Sequence, residues 1–110
     1  MSKTFDFNDG NGPVPARRHR NPDDSVGGWV ADSAYVAHTA YIGENARISG
    51  NARIFGNAWI FENAWISENA WIFENAWISE NAWISGNAWI FENAWISGNA
   101  WIFENARVKK

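Results

Sequence analysis

The sequence predicts an all-β fold, a triangular β-solenoid of about four coils with 18 residues in each coil, preceded by a non-repetitive N-terminal cap. Two observations support this prediction: a six-residue repeat that runs through thirteen hexads from residue 30 to residue 107, and an almost fixed order of residue types within each hexad. A typical hexad, "IFENAW", reads aliphatic, variable, Gly or Glu, Asn, Ala, and aromatic or Arg. A strict period of six does not match the 3.6-residue turn of an α-helix, whereas Ile favours strands and Asn favours corners. Three short strands joined by three corners therefore complete one coil.

The residues before the repeat are predicted to form a cap over the first coil. We divide the chain into this cap, residues 1–29, and the solenoid, residues 30–110. A cap is expected because the bare end of a solenoid exposes unpaired strand edges. Phe5, Phe7 and Trp29 are expected to supply its apolar contacts.

Within each hexad, the Ala and the aliphatic residue are predicted to point into the prism. They are two residues apart, so both lie on one side of an extended segment, and the residue between them points outward. Burying an Ile side chain stabilises by roughly 1.5–3 kcal/mol, and the stability of a solenoid is close to a sum of coil terms. The asparagines, beginning with Asn45, Asn51 and Asn57, are expected to turn the corners because Asn tolerates the left-handed backbone region.

The outward residues are predicted to form aromatic ladders on three faces, because residues 18 apart lie above one another. Neighbouring rings are then about one strand spacing apart, within the roughly 4.5–7 Å that favours aromatic pairs. From the first face to the third, the columns are Tyr41, Trp59, Trp77 and Trp95; Arg47, Trp65, Trp83 and Trp101; and Tyr35, Arg53, Trp71, Trp89 and Arg107.

Three further columns are predicted at the corners. The glutamates repel one another and could attract cations, but they specify no coordination geometry, so solubility and edge protection are the favoured roles. The asparagines are expected to hydrogen-bond along the axis, as in cross-β ladders, and the phenylalanines to lie on the outer side. Representative columns are Glu44, Glu62 and Glu80; Asn45, Asn63, Asn81 and Asn99; and Phe55, Phe73 and Phe91.

The closing sequence "ENARVKK" contains no amphipathic helix that would cover the last coil. Lys109 and Lys110 could discourage edge pairing by their charge. Alternatively, the uncapped coil stacks end to end on the same coil of a second copy. We expect a homodimer formed in this way.

Composition excludes several function classes. The net charge of −3 argues against general affinity for nucleic acid, which requires a basic face. The chain has no cysteine, so a disulfide framework and a thiolate zinc site are both excluded. No apolar run approaches the roughly 20 residues of a membrane helix, and the first ten residues do not resemble a signal peptide. We therefore expect neither nucleic acid nor a membrane as partner.

The hexads "IGENAR", "ISGNAR" and "IFGNAW" resemble the hexapeptide repeat of the left-handed parallel β-helix, which occurs in bacterial acyltransferases and in gamma-class carbonic anhydrases. The resemblance extends over residues 30–108 and implies the left-handed form of the solenoid. The acyltransferases of this family use a histidine and loops that interrupt the coils. Here the histidines are His19 and His38, and no loop interrupts the hexads.

No catalytic, cofactor or metal site is predicted. Two histidines cannot supply the three that a His₃ zinc site needs. The cluster Arg17, Arg18 and Arg20 could hold a phosphate or an acidic partner, but pairing with the nearby aspartates is the favoured interpretation.

The chain contains neither Leu nor Gln, has nine Trp, and repeats its hexads almost without drift. These features indicate an engineered or consensus-regularised sequence whose function is that of a structural scaffold. One alternative is a binding module in which Trp59, Trp77 and Trp95 form a platform for carbohydrate or flat aromatic ligands. Another is a residual acyltransferase with a site at a trimer interface.

Overall fold

The computed structural model describes residues 3–109, which form sixteen strands and no helix. The first three strands are β1 Thr4–Asp6, β2 Pro13–Arg20 and β3 Val26–Ala31. The remaining strands have two residues each: β4 Tyr35–Val36, β5 Tyr41–Ile42, β6 Arg47–Ile48, β7 Arg53–Ile54, β8 Trp59–Ile60, β9 Trp65–Ile66, β10 Trp71–Ile72, β11 Trp77–Ile78, β12 Trp83–Ile84, β13 Trp89–Ile90, β14 Trp95–Ile96, β15 Trp101–Ile102 and β16 Arg107–Val108.

Strands that are 18 residues apart pair in parallel and in register, so the chain is a β-solenoid of about four coils. The first face is the sheet β5-β8-β11-β14, and the third face is the sheet β4-β7-β10-β13-β16. The second face is the sheet β1-β2-β3-β6-β9-β12-β15, in which β1 and β2 are antiparallel to their neighbours. The predicted all-β solenoid with 18 residues per coil is confirmed.

The core is one continuous column of alternating Ile and Ala side chains. Every isoleucine from Ile42 to Ile90 is completely buried, and the alanines between them are almost completely buried. Toward the last coil the burial decreases, since Ile102 and Val108 are only partly buried. Ile and Ala therefore point inward and the residue between them points outward, as predicted.

The segment before the solenoid packs on the second face. Phe7 is completely buried against Ala16 and Ala31, and the Phe5 ring stacks on Trp29 with their centroids 5.0 Å apart. The three aromatic residues expected to make apolar contacts in the cap do so. Trp29 also pairs in register with Arg47, so it lies below the column of the second face. The boundary between cap and solenoid at residue 29 stays a prediction.

Side chains from β2 and the following turn cover the lower edge of β5. The amide of Asn21 imitates a neighbouring strand: its Oδ1 accepts a hydrogen bond from the Ile42 N–H at 2.8 Å, and its Nδ2 donates to the Ile42 carbonyl at 3.0 Å. The ring Nε2 of His19 lies 2.9 Å from the carbonyl oxygen of Ala40. No strand of residues 3–109 lies below β5, so these side chains supply the hydrogen-bond partners of the Ile42 N–H and of the Ile42 and Ala40 carbonyls. Buried polar groups require such partners.

The prediction for the corner asparagines is right in position and wrong in conformation: each Asn lies in the two-residue turn at its corner, but it does not adopt the left-handed backbone. At the corners from residue 50 onward, the residue with positive φ is the one before each Asn, for example Gly50 with φ 64° and Glu74 with φ 63°. Only Gly adopts this region without steric cost, so its recurrence before Asn was the stronger signal. The Asn side chains instead bond along the axis, with Nδ2 to Oδ1 distances of 3.4 Å from Asn63 to Asn81 and 3.2 Å from Asn81 to Asn99. That part of the prediction is confirmed.

Candidate functional site

The predicted aromatic ladders are present on all three faces of the solenoid. Five pairs of consecutive tryptophans lie in register one coil apart, with ring centroids between 4.9 and 6.0 Å apart. These pairs are Trp59–Trp77 and Trp77–Trp95 on the first face, Trp65–Trp83 and Trp83–Trp101 on the second, and Trp71–Trp89 on the third. The distances fall in the range where aromatic pairs add roughly 0.5–1.5 kcal/mol beyond their buried area.

The ladder of the first face is the most exposed. The exposed fractions of Trp59, Trp77 and Trp95 are 49%, 39% and 63%. Tyr41 continues this ladder downward, with its ring stacked 5.1 Å from that of Trp59. The ladder of the first face therefore offers an uncharged aromatic strip to solvent.

The ladder of the second face is fixed by hydroxyl groups that the sequence interpretation missed. The indole Nε1 of Trp65 donates to Ser49 Oγ at 3.1 Å, and that of Trp83 donates to Ser67 Oγ at 3.3 Å. The signal was available, because Ser occupies the second hexad position in three consecutive coils of this face. The rings of Trp65 and Trp83 are nearly parallel, with an angle of 2° between their planes.

The third face combines a tryptophan row with a phenylalanine row. The rings of Trp71 and Trp89 stack at 5.3 Å, and those of Phe73 and Phe91 stack at 5.1 Å. Phe73 meets Trp89 edge to face at 5.8 Å. Phe55 makes the same kind of contact with Trp71 one coil below, also at 5.8 Å.

A groove of about 330 Å³ lies between these rows and is lined by Phe55, Trp71, Phe73 and Trp89. All four lining residues are aromatic. Arginines occupy both ends of the tryptophan column: Arg53 pairs in register with Trp71, and Arg107 pairs in register with Trp89. The guanidinium carbon of Arg107 lies 4.5 Å from the centroid of the Trp89 ring, which is a cation–π contact.

The glutamate columns have a local structural role that the sequence interpretation did not anticipate. The carboxylate Oε1 of Glu62 accepts a hydrogen bond from the backbone N–H of Glu80 at 3.0 Å. Glu68 accepts in the same way from Gly86 at 2.7 Å. Each carboxylate therefore satisfies a backbone donor of the corner one coil above. The predicted solubility role stays a prediction.

The two histidines lie in different surroundings. His19 is buried next to Ala40, and its pKa is lowered chiefly by that burial and also by the nearby Arg17 charge, while the Ala40 carbonyl opposes the shift. His38 is exposed at a corner. Within residues 3–109, no three His, Asp or Glu side chains are grouped so that they could hold a metal ion.

The arginine cluster pairs only partly as expected. Arg20 lies 4.0 Å from Asp24, which the sequence interpretation favoured, but Arg17 pairs with Asp32 at 3.4 Å. Arg18 Nε donates to the Gly27 carbonyl at 2.7 Å. Arg17 and Arg18 are therefore occupied by contacts that hold β2 on β3.

Comparison with known proteins supports the repeat. A family model described as the YdcK beta solenoid repeat matches residues 46–62, a stretch shorter than one coil. No curated protein and no solved structure gives a significant match. Across residues 3–109, no helix is long and apolar enough to cross a membrane.

Proposed function

We propose that this chain is an engineered, left-handed β-solenoid that serves as a structural scaffold and catalyses no reaction. The observation that carries the proposal is the uniformity of the coils. Every coil from residue 42 to residue 95 buries the same Ile and Ala pattern and presents the same outward aromatic or Arg position. The left-handed form and the engineered origin rest on the hexapeptide-like repeat and on the absence of Leu and Gln.

Removal of one coil tests the scaffold function. Deletion of residues 66–83 joins Trp65 to Ile84 and preserves both the hexad frame and the three faces. Because each coil contacts only its neighbours, we expect the shortened chain to keep its β circular-dichroism spectrum. We expect its free energy of unfolding to decrease by about the contribution of one coil. A shortened chain that does not fold would contradict the modular scaffold.

The absence of catalysis is tested by assay. We expect the purified protein to transfer no acyl group from acyl-CoA donors to amine or hydroxyl acceptors. A turnover that disappears in His38→Ala would overturn the proposal in favour of a residual acyltransferase with a site at a trimer interface. Sedimentation measurements that detect no trimer would count against that alternative.

A second candidate function is a binding module on the first face. It is favoured by the exposure of Trp59 and Trp95, which exceeds that of the tryptophans on the third face. Large exposed apolar patches usually mark contact sites, and the ligands proposed for this one are carbohydrates or flat aromatic molecules. Titration of soluble oligosaccharides against indole fluorescence tests this function, with Trp77→Thr as the variant and Trp83→Thr on the second face as its matched control. Saturation that is lost only in Trp77→Thr would support it.

We also propose that two copies associate end to end through the upper edge of the last coil. Inside the solenoid, the N–H groups of Trp77 and Ser79 donate to carbonyls one coil above. The equivalent N–H groups of Trp95 and Ser97 find no backbone acceptor among residues 3–109. Unpaired strand edges of this kind pair readily with another strand.

The lower edges of β3 and β5 are already covered by β2, Asn21 and His19, so the upper edge is the more open of the two ends. A two-fold arrangement of identical upper edges therefore closes as a dimer and does not continue into a fibre. Sedimentation equilibrium is expected to give a dimer for the parent and a monomer for Ser97→Pro, which removes an edge donor. A parent chain that stays monomeric at millimolar concentration would contradict the dimer.

A further inference from the structure

The third face differs from the other two in the charges at the ends of its ladder. Only this column has an arginine both below and above its tryptophans, at Arg53 and Arg107. Both arginines are exposed, and neither forms an ion pair with a carboxylate of residues 3–109. Two cations therefore flank an aromatic surface without a carboxylate partner among the described residues, and the guanidinium of Arg107 also packs on the Trp89 ring.

The surface between these cations is a groove lined by aromatic side chains. The phenylalanine side chains form one wall of the groove beside Trp71 and Trp89, and the volume of the groove is about 330 Å³. That volume lies at the lower end of the range for small-molecule sites, roughly 300–1,000 Å³. No carboxylate lines it, because the nearest glutamate in sequence, Glu74, accepts a hydrogen bond from the backbone of Glu92 at the corner.

We propose that this groove binds a flat, elongated aromatic dianion whose rings lie against Trp71, Trp89 and Phe73 and whose anionic ends pair with Arg53 and Arg107. The two arginines are three coils apart, so their backbone positions are separated by about 14 Å at a strand spacing of roughly 4.8 Å. A two-ring ligand with a carboxylate at each end spans this length. Guanidinium groups suit such carboxylates because they can donate two parallel hydrogen bonds.

This groove lies on a different face from the proposed first-face platform, and binding in it does not depend on the scaffold function. The first face has no arginine in its column, and the second has Arg47 only at its lower end. The guanidinium of Arg47 lies 5.3 Å from the centroid of the Phe5 ring, so a cap residue lies over this end of the second column. Charge at both ends of the ladder is therefore specific to the third face.

The test uses trans-4,4′-stilbenedicarboxylate as probe and measures its dissociation constant by isothermal titration, together with the induced circular dichroism of the bound stilbene. The neutral dimethyl ester and a cationic bis-trimethylammonium stilbene are the comparison ligands. We expect saturable binding of the dianion, weaker binding of the ester and no binding of the cation. Added salt is expected to weaken dianion binding, because exposed charge pairs are screened.

Variants on the same face separate charge from shape. Arg53→Gln and Arg107→Gln are each expected to raise the dissociation constant about two- to fivefold, the scale of an exposed ion pair. Phe73→Ser is expected to raise it at least about tenfold by removing a wall of the groove. Ser occupies this hexad position at Ser67 and Ser79, so the variant has a precedent within the fold.

Arg20→Gln is the matched charge control, because this side chain is exposed in the cap, away from the groove. We expect it to leave the dissociation constant unchanged. Equal weakening by Arg20→Gln, tight binding of the cation, or absence of binding up to millimolar dianion would each overturn the proposal. A loss of affinity in Phe73→Ser without any effect of the two groove arginines would also overturn it.

Discussion

The carboxylate Oε1 of Glu74 accepts a hydrogen bond of 2.9 Å from the backbone N–H of Glu92, one coil further along the axis. Glu74 itself has a left-handed backbone with φ 63°. The same residue thus introduces steric strain at its own corner and relieves an unpaired donor at the corner above. Two opposing contributions to stability can therefore be separated by substitution at this one position.

We predict that Glu74→Ala lowers the free energy of unfolding by about 0.5–1.5 kcal/mol, the net value of one hydrogen bond, because Ala keeps the strain and loses the acceptor. Glu74→Gly loses the same acceptor but adopts positive φ without a clash, so it is expected to be about 1 kcal/mol more stable than Glu74→Ala. Guanidinium titration of both variants measures the difference. Equal stabilities would show that the left-handed backbone costs nothing here.

Two glycines with the same backbone provide a second pair of substitutions. Gly86 and Gly98 have φ of 66° and 70°, but a Cβ on Gly86 would lie 2.5 Å from the backbone nitrogen of Glu104, whereas the nearest atom to a Cβ on Gly98 is 4.0 Å away. Gly98→Ala is expected to cost about 1 kcal/mol from φ alone. Gly86→Ala is expected to cost at least about 1 kcal/mol more, because the coil above must shift.

Thermal and denaturant unfolding of the two alanine variants test this order. Each variant serves as the control for the other, since they share residue type, hexad position and backbone conformation. If Gly98→Ala proves as damaging as Gly86→Ala, the coil above is not the source of the difference.

The sequence predicts the solenoid and its ladders well because both depend on periodicity alone. A repeat of six with three corners places Trp59 below Trp77 whatever the detailed backbone angles are, and the register confirms this. The corner conformation depends on which residue takes the left-handed region, and general residue preferences selected Asn there. In the structure the preceding Gly or Glu adopts the left-handed conformation, and the Asn side chain forms a hydrogen bond along the axis instead.

The cap could not be predicted to the same depth, since residues 1–29 have no period that would fix where each side chain lies. Phe5 and Phe7 were recognisable as apolar contacts from residue type. The strand-like role of Asn21 was not, because it depends on a contact with Ile42 that is 21 residues away in sequence. The serine bonds of the second face were missed for a related reason, as they join residues 16 apart and not 18.

The contact between Asn21 and Ile42 gives a prediction for the cap. Asn21 is buried, with 3% of its surface exposed, and Asn21→Ala leaves both the N–H and the carbonyl of Ile42 without their partner. Each buried unpaired group costs about 1–3 kcal/mol, so for two groups we expect a loss of about 2–6 kcal/mol in the free energy of unfolding. Denaturant titration measures it.

The matched control is Asn63→Ala, which removes an exposed ladder bond of 3.4 Å and is expected to change stability by no more than about 0.5 kcal/mol. Hydrogen exchange gives an independent measurement, since the Ile42 amide should exchange much faster in Asn21→Ala than in the parent. Similar losses in the two variants would mean that Asn21 does not act as a strand substitute.

His19 makes the stability of the cap depend on pH. Burial and the Arg17 charge lower the pKa of this imidazole from its ordinary value of 6.5, so the folded state favours the neutral ring. Below about pH 6.5 the unfolded chain then binds more protons than the folded chain. The contribution of His19 to the free energy of unfolding is therefore complete above that pH and decreases as the pH drops toward the folded pKa. We expect the parent to be less stable at pH 5 than at pH 7.5, and His19→Gln, which keeps a donor for the Ala40 carbonyl, to lose most of that difference. His38→Gln, at an exposed corner, is the control and should retain the difference; a pH dependence that survives in His19→Gln would assign it to another group.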